Sequence, residues 1–163
     1  MERLWSPWRY EYVVSGESEG SPPSGCVFCE ICNDPANDES NYVLHRAAHN
    51  FVVLNIYPYI SWHLLIVPYQ HVGDLDGASK QTTDELMDLT KACQTVIREV
   101  YNPAGFNLGM NLGRSGGAGI VDHIHIHIMP RWAGDTNFMS TVGETRVIPE
   151  DLVTTYRKLR GKF

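Results

Sequence analysis

Three histidines alternate with isoleucines in the last third of the 163-residue chain: His123, His125 and His127. Successive side chains of a β-strand point to opposite faces, so the alternation predicts a strand with the three imidazoles on one face and the isoleucines on the other. At a rise of about 3.4 Å per residue, neighbouring imidazoles would start about 7 Å apart. Because imidazoles act as nucleophiles, bind anionic oxygens and ligate metals, this strand is the first candidate for chemistry.

Two uses of these histidines compete. All three could ligate one metal ion, as in three-histidine zinc sites. Along one strand, however, only adjacent imidazoles can converge on a metal, and the one neighbouring carboxylate, Asp122, is expected on the opposite face. Nucleophilic and anion-binding roles are therefore the first hypothesis, and a metal-dependent hydrolase that uses the histidines as ligands is the alternative.

A second candidate cluster lies at Cys26 and Cys29, with Cys32 three residues further on. Two thiolates separated by two residues can chelate one tetrahedral zinc ion when a tight turn brings their sulfurs together. This pair is half a site, which two histidines from elsewhere would complete, and Cys32 could be a spare or substitute ligand. A pair of reduced, partly buried thiols is the alternative. Cys93 lies in a helical pattern and is expected in the core.

A glycine-rich loop over residues 112–119 leads directly into the histidine strand. Glycine lets the backbone approach a ligand closely and lets successive N–H groups point at one anion. Such a run is ordinarily a flexible connection between strands. Its position immediately before the histidines favours contact with phosphate.

A sheet and one long helix would position these groups. Strands are also predicted over residues 42–45, 51–54, 63–68 and 106–111. The best helix covers residues 82–101, capped by Thr82 or Thr83 and stopped by Asn102-Pro103, and a short amphipathic helix is predicted over 150–160. The apolar stripe of the long helix should cover the sheet, which gives an α+β domain with an antiparallel sheet of about five strands.

Length and composition suit a single domain over residues 1–163, with an aromatic-rich N-terminal arm and linker over residues 1–25. The net charge of -6 argues against broad binding to nucleic acid or to an anionic membrane, but it leaves room for a small phosphate site. No apolar run approaches the roughly 20 residues of a membrane span, and the first residues do not resemble a signal peptide. A cytoplasmic location is expected.

The run His123-Ile124-His125-Ile126-His127-Ile128-Met129 resembles the signature of the histidine triad (HIT) superfamily of nucleotide hydrolases and transferases. The resemblance extends to Asn55, residues 63–68, His71, the long helix and the loop 111–119, and it covers most of the chain between Cys26 and Trp132. Pro130-Arg131-Trp132 and Asn111-Leu112-Gly113 are most similar to the branch that acts on diadenosine polyphosphates, as hydrolases or phosphorylases.

The resemblance implies a role for each matching residue. His125, the middle histidine, would attack the α-phosphorus and form a covalent nucleotidyl-histidine intermediate, which water or phosphate then opens. Its Nδ1–H should be held by a backbone carbonyl. His127 would assist the departure of the leaving oxygen. Substrate-binding roles fall on the residues that match the family's ribose site, supporting histidine and phosphate loop: Asn55, His63, Asn111, Gly117, Ala118 and Gly119.

In zinc-containing members of the superfamily, two cysteines, a histidine after a strand and the first triad histidine bind one structural zinc ion. The matching residues here are Cys26, Cys29, His71 and His123, so the resemblance implies one structural zinc ion per chain and no catalytic metal. It also implies a homodimer, and an adenine nucleotide or dinucleoside polyphosphate as the ligand. A nucleotide-binding regulatory protein with little turnover is a third hypothesis.

Two positions depart from the family pattern. Many members have Gly-Gln-Ser/Thr-Val before the triad, where this chain has Ala118-Gly119-Ile120-Val121. The departure disfavours a standard phosphoramidate hydrolase and favours contacts from the backbone to phosphate. Trp62 stands where a glycine usually precedes His63, and we expect it to narrow the loop near the base or ribose.

Overall fold

The computed structural model describes residues 25–136 and 148–163. It has one five-stranded sheet in the order β1-β2-β3-β5-β4, and every neighbouring pair of strands is antiparallel. The elements are α1 (Val27–Cys32), β1 (Val43–Arg46), β2 (Asn50–Leu54), β3 (Leu64–Pro68), α2 (Lys80–Tyr101), β4 (Gly105–Met110), β5 (Ile126–Arg131) and α3 (Leu152–Leu159). The predicted α+β class and the antiparallel sheet are confirmed.

The predicted arm and linker over residues 1–25 lie outside the described residues, apart from Gly25. In the two described ranges, no helix is long and apolar enough to cross a bilayer. The predicted C-terminal helix is present as α3, which is capped by Asp151, whose side chain accepts from the Thr154 N–H.

The sheet is covered on both faces in its centre, which explains the continuous apolar runs of β2 and β3. On one face, α2 packs its apolar stripe, including Leu86, Cys93 and Ile97, against the sheet. Cys93 is fully buried, as expected for a core residue. On the other face, α1 contributes Phe28 to a smaller cluster that contains Val53. That second face carries the candidate site.

The long helix begins earlier than predicted. It starts at Lys80, and its cap is Ser79, whose side-chain oxygen accepts from the Thr82 N–H at 3.2 Å. Thr82 and Thr83, the predicted caps, therefore lie inside the helix. Since serine and threonine both suit a cap by type, the sequence alone did not separate the candidates. The helix ends as predicted, with Asn102 in the left-handed conformation.

The histidine strand is shorter than predicted. It begins at Ile126, so His123 and His125 precede the strand and only His127 lies within it. β5 pairs with β3 from Leu64↔Ile128 to Ile66↔Ile126, and two residues further along the same register Pro68 would lie opposite Ile124. Proline has no N–H to donate, so the ladder cannot continue there. His123 and His125 therefore lie outside the ladder, although Phe28 contacts both of their rings and the rings of His125 and His127 lie 4.8 Å apart.

The loop between β2 and β3 is tied to the C-terminal part of the chain through Trp62. Its backbone has φ +62°, in the left-handed region that favours glycine. The indole packs on Tyr101 and Trp132, with ring centroids 4.5 and 4.7 Å away. Its Nε1–H donates to the Glu150 carboxylate at 2.8 Å. The strain of this backbone is therefore offset by packing and by a charge-assisted hydrogen bond.

Glu150 joins three elements. Its carboxylate also accepts from the Tyr101 hydroxyl at 2.6 Å, from the Thr155 hydroxyl at 3.0 Å and from the Lys158 ammonium. Burial alone would raise the pKa of Glu150, but the hydrogen bonds from Lys158, Tyr101, Trp62 and Thr155 outweigh it and lower the pKa to about 2. The charged form therefore stabilises the fold.

We expect Glu150→Gln to lower the free energy of unfolding by roughly 1–3 kcal/mol at pH 7, because neutral glutamine weakens these hydrogen bonds. The folded pKa lies below the ordinary value of 4.5, so the stabilisation by Glu150 is present above pH 4.5 and is lost as the pH falls towards 2. The difference between wild type and variant should shrink over that range. Urea unfolding at several pH values measures this difference in the free energy of unfolding.

The exposed Glu99→Gln on α2 is the matched control and should behave like the wild type throughout. A Glu150→Gln difference that stays constant from pH 7 to pH 2 would contradict a contribution from the charge.

Candidate active site and metal centre

A cavity of about 540 Å³ lies between α1 and the loop after β2, a volume that suits a small-molecule ligand. Phe28 and Ile31 of α1 and Val53 and Leu65 of the sheet give it apolar walls. Five of the predicted site residues line it: Asn55, Asn111, Gly119, His125 and His127. Other polar side chains, among them Glu30 and Asp34, line it as well.

The imidazole of His125 is held by a backbone carbonyl. Its Nδ1 lies 3.1 Å from the carbonyl oxygen of His123, and a carbonyl only accepts, so Nδ1 carries the proton. Burial lowers the pKa of His125 below its ordinary value, although the bond to His123 acts the other way. The ring is therefore neutral near pH 7, with an unprotonated Nε2. This is the arrangement that the resemblance implies for a nucleophile.

A chain of hydrogen bonds fixes the opposite tautomer in His127. The backbone N–H of Tyr59 donates to Nδ1 of His63 at 3.2 Å, so neutral His63 carries its proton on Nε2. That Nε2–H donates to Nδ1 of His127 at 2.9 Å. His127 must then carry its own proton on Nε2. Burial, together with the neighbouring histidines, lowers the pKa of His63 to about 3 and that of His127 to about 4, so both rings are neutral.

The Nε2–H of His127 is a buried donor without a hydrogen-bond partner among the described residues. A buried donor left unpaired costs about 1–3 kcal/mol. Because His127 lines the cavity, an oxygen of a bound ligand could accept this hydrogen bond. The rings of His125 and His127 lie 4.8 Å apart, so one lone pair and one donor stand side by side. Such a pair can attack a phosphorus atom and stabilise the oxygen that leaves it.

The third histidine of the motif belongs to a separate cluster. Cys26, Cys29, His71 and His123 present ligand atoms within 4.8 Å of one another. The Sγ of Cys29 lies 3.2 Å from Nδ1 of His71 and 3.6 Å from Nδ1 of His123, and the two Nδ1 atoms lie 3.3 Å apart. Cys26 Sγ lies 3.2 Å from His123 Nδ1. Four ligands around a tetrahedral zinc ion would be about 3.3–3.8 Å apart, so this cluster could bind such a metal.

The surroundings of the cluster also suit a metal. Nε2 of His123 lies 2.8 Å from the carbonyl oxygen of Pro68, so Nε2 carries the proton and the Nδ1 lone pair faces the cluster. Burial and the neighbouring Cys26 thiol raise the pKa of Cys29 to about 11, so a thiolate there needs a cation nearby. Cys32 is not part of the cluster.

The turn that brings the two cysteines together is helical. Cys26 precedes α1 and Cys29 lies in its first turn. Residues three apart are neighbours on a helix surface, so α1 brings the sulfurs together equally well. Of the three triad histidines, only His123 belongs to this cluster among the described residues, whereas Nδ1 of His125 and Nδ1 of His127 are hydrogen-bonded elsewhere.

Only some of the residues predicted to bind phosphate in the glycine-rich loop line the cavity. Asn111 and Gly119 line the cavity. The Gly117 N–H donates to the Arg114 carbonyl at 3.0 Å, and the Ala118 N–H donates to the Gly113 carbonyl at 3.2 Å. These two N–H groups therefore close the loop instead of facing the cavity, contrary to the expectation for Gly117 and Ala118.

Trp62 does not narrow the cavity, so that expectation is wrong: the indole packs on Trp132 and Tyr101 instead. Asn55 does line the cavity, and its side chain accepts from the Tyr57 N–H and contacts Nδ1 of His63.

Sequence reasoning missed the aromatic neighbours of the two cavity histidines. Phe28 lies against His125 with ring centroids 5.0 Å apart, and Tyr59 stacks on His127 at 5.7 Å with 25° between the planes. The apolar spacing of Val27, Phe28 and Ile31 around the cysteines was the available signal for α1 and its wall of the cavity.

Comparison with known proteins decides the family. The family profile described as "HIT domain" matches residues 37–134. The AP-4-A phosphorylase of Mycobacterium tuberculosis is 39% identical over 167 residues, an alignment that covers all of this chain and 85% of that protein. The chain belongs to the HIT family.

Other HIT proteins are similar at lower identity. The bis(5'-nucleosyl)-tetraphosphatase (asymmetrical) of Schizosaccharomyces pombe is 28% identical, over 57% of this HIT chain and 50% of that protein. A Zn-bound histidine triad family protein from Mycobacterium smegmatis has a similar crystal structure, with a TM-score of 0.68 and 27% identity, and the match covers 85% of this chain and 92% of that one.

The hydrogen-bond chain predicts the tautomer of each cavity histidine. We expect His125 to be protonated on Nδ1, and His63 and His127 on Nε2, because each assignment follows from a partner that can only donate or only accept. Nitrogen-15 NMR of labelled imidazoles at pH 7 distinguishes protonated from unprotonated ring nitrogens. His63→Phe removes the donor to His127 and should let the His127 signal become a mixture of tautomers, while His125 keeps its own. Nε2 protonation of His125 in the wild type would contradict the assignment.

Proposed function

We propose that this HIT protein is an enzyme that transfers a nucleotidyl group from a dinucleoside polyphosphate, such as diadenosine tetraphosphate, through a covalent intermediate on His125. The observation that carries the proposal is the pairing of the unprotonated Nε2 of His125 with the Nε2–H of His127 in one apolar cavity. The similarity to an AP-4-A phosphorylase over the whole chain supports the substrate class.

In the first half of the reaction, the Nε2 lone pair of His125 attacks the α-phosphorus of the substrate. A P–N bond forms, and the P–O bond to the rest of the polyphosphate breaks with its electron pair on the departing oxygen. His127 donates a hydrogen bond from Nε2 to that oxygen as negative charge develops there. The Nδ1–H bond of His125 to the His123 carbonyl supports the positive charge that the ring gains on bonding to phosphorus.

In the second half, an acceptor attacks the phosphorus and releases His125. We propose inorganic phosphate as the acceptor, which gives ADP and ATP from diadenosine tetraphosphate. The relative that matches the whole chain is named a phosphorylase, whereas the tetraphosphatase matches about half of it. If water were the acceptor, the products would be AMP and ATP.

The remaining cavity residues are proposed to hold the nucleotide that is transferred. Asn55 would bind ribose hydroxyls, and Asn111 with the backbone at Gly119 would bind phosphate oxygens. Phe28 and Ile31 would pack on the base, since both line the apolar part of the cavity. His63 would act through His127, as the donor that sets its tautomer.

Incubation with diadenosine tetraphosphate tests the function directly. With phosphate present, we expect ADP and ATP in equal amounts. We expect His125→Ala to lower kcat by about 10³-fold or more, and His127→Ala, which loses one hydrogen-bond donor to the leaving oxygen, by about 10²- to 10³-fold. Products are resolved by anion-exchange chromatography, and radiolabelled phosphate should enter ADP.

His45→Ala, outside the cavity, is the matched histidine control. AMP as the product in the presence of phosphate would identify water as the acceptor. That result would overturn only the phosphorylase assignment. Full activity of His125→Ala would overturn the covalent mechanism. Tight nucleotide binding with one slow turnover would instead support a regulatory protein.

We also propose one structural zinc ion per chain, held by Cys26, Cys29, His71 and His123. The donor set is the closed S₂N₂ type of structural sites, and the similar histidine triad protein from Mycobacterium smegmatis is Zn-bound in its crystal structure. When bound, zinc would fix the position of His123, whose carbonyl holds His125. No catalytic metal is part of the proposal.

Zinc analysis by mass spectrometry should find about one ion per purified chain. Cys29→Ser should lose most of the metal and lower Tm, because a hydroxyl is a far weaker ligand than a thiolate. Cys32→Ser is the matched control, since Cys32 lies outside the cluster, and it should keep both metal and Tm. Equal zinc content in the two variants would refute this ligand set.

Two further expectations remain proposals. We propose a homodimer formed through β4, because this strand is at an edge of the sheet and Leu108 on it is exposed. We propose a cytoplasmic location, because the four cysteines in the described residues are all free thiols, which suits a reducing compartment.

A further inference from the structure

Two tyrosines stand exposed at the rim of the cavity. The side chain of Tyr57 is 79% exposed and that of Tyr59 is 52% exposed, yet both residues line the cavity. Large side chains presented together next to a ligand site are a feature of binding surfaces. The nucleotidyl transfer described above assigns no role to either ring.

Hydrogen bonds hold the backbone of the loop that carries these two rings. The Asn55 N–H donates to the His63 carbonyl at 2.9 Å, the Tyr57 N–H donates to Oδ1 of Asn55 at 2.9 Å, and the Tyr59 N–H donates to Nδ1 of His63 at 3.2 Å. Pro58 restricts the backbone between the tyrosines. Because the loop is ordered in advance, a ligand that stacks on the rings loses little affinity to ordering it.

The ring of Tyr59 lies on the side of the histidine pair where the leaving group would depart. Phe28 contacts His125, the attacking histidine, whereas Tyr59 stacks on His127, the proposed donor to the leaving oxygen. A substrate whose transferred nucleoside occupies the apolar walls would therefore extend its remaining phosphates past Tyr59, and Tyr57 is the more exposed ring of the same loop.

We propose that Tyr57 and Tyr59 form a stacking subsite for the base of the departing nucleoside, so that the enzyme selects polyphosphates with a nucleoside at both ends. The subsite rests on the proposed function, since it assigns the second half of the same substrate. A flat aromatic base matches an exposed aromatic ring, and such stacking does not require a particular base.

The test compares diadenosine tetraphosphate with adenosine 5'-tetraphosphate, which has the same transferred nucleotide but lacks the second nucleoside. We expect the ratio of kcat/KM for the two substrates to fall about tenfold in Tyr57→Ala, the size of a lost base–aromatic stack. Tyr57→Phe keeps the ring and should keep the wild-type ratio. An unchanged ratio in Tyr57→Ala would overturn the subsite, including the case in which both substrates lose activity equally.

Binding measured by calorimetry separates the subsite from the chemistry. In a His125→Ala background, the ratio of dissociation constants for the two ligands should change about tenfold on adding Tyr57→Ala, again the size of one stacked base. If the wild type turns over neither compound but this binding ratio changes, the subsite stands and the proposed reaction fails. If the binding ratio does not change, the subsite is overturned whether or not the reaction occurs.

Discussion

The hydrogen bond from Nε2 of His63 to Nδ1 of His127 is the constraint on which the site depends. Its direction is set by the Tyr59 N–H, which can only donate, and it forces the His127 proton onto the nitrogen that has no partner among the described residues. An oxygen of a bound ligand can accept from that donor and so remove the cost of leaving it unpaired. The loop after β2 therefore fixes the tautomer of His127 on β5.

Pro68 separates the histidine motif into one residue of the metal cluster, His123, and two residues of the cavity, His125 and His127. Because it has no N–H, the ladder between β3 and β5 stops, and the chain before Ile126 is free to turn. Its carbonyl then accepts from His123 and orients that ring towards the two cysteines and His71. The carbonyl of the same His123 accepts from His125. A metal in the cluster would thus stabilise the acceptor that keeps the His125 lone pair free.

The sequence was sufficient for the sheet, the long helix and the residue types of both clusters, because apolar period and histidine spacing are local signals. It failed where the outcome depends on contacts distant in the chain. The early end of the histidine strand needs the register that brings Pro68 opposite Ile124, and the orientation of Trp62 needs Glu150. The tautomers of His63, His125 and His127 depend on hydrogen-bond partners in separate segments of the chain, so the sequence alone did not assign them. The Gly117 N–H is a local exception: it donates to the Arg114 carbonyl within its own loop, which the glycine content of the loop did not reveal.

The charge of the cavity limits how it can hold a polyphosphate. None of the described residues that line it is lysine or arginine, and Glu30 and Asp34 add carboxylates to its lining. Burial keeps His125 and His127 neutral as well. The described lining residues therefore offer N–H dipoles to phosphate, and such dipoles act strongly in an apolar cavity. Such dipoles suit the single phosphate being transferred, whereas the remaining charged phosphates are better solvated outside. Aromatic rings lie on both sides of the histidine pair, Phe28 against His125 and Tyr59 against His127, where they can pack on the apolar ends of an anionic polyphosphate.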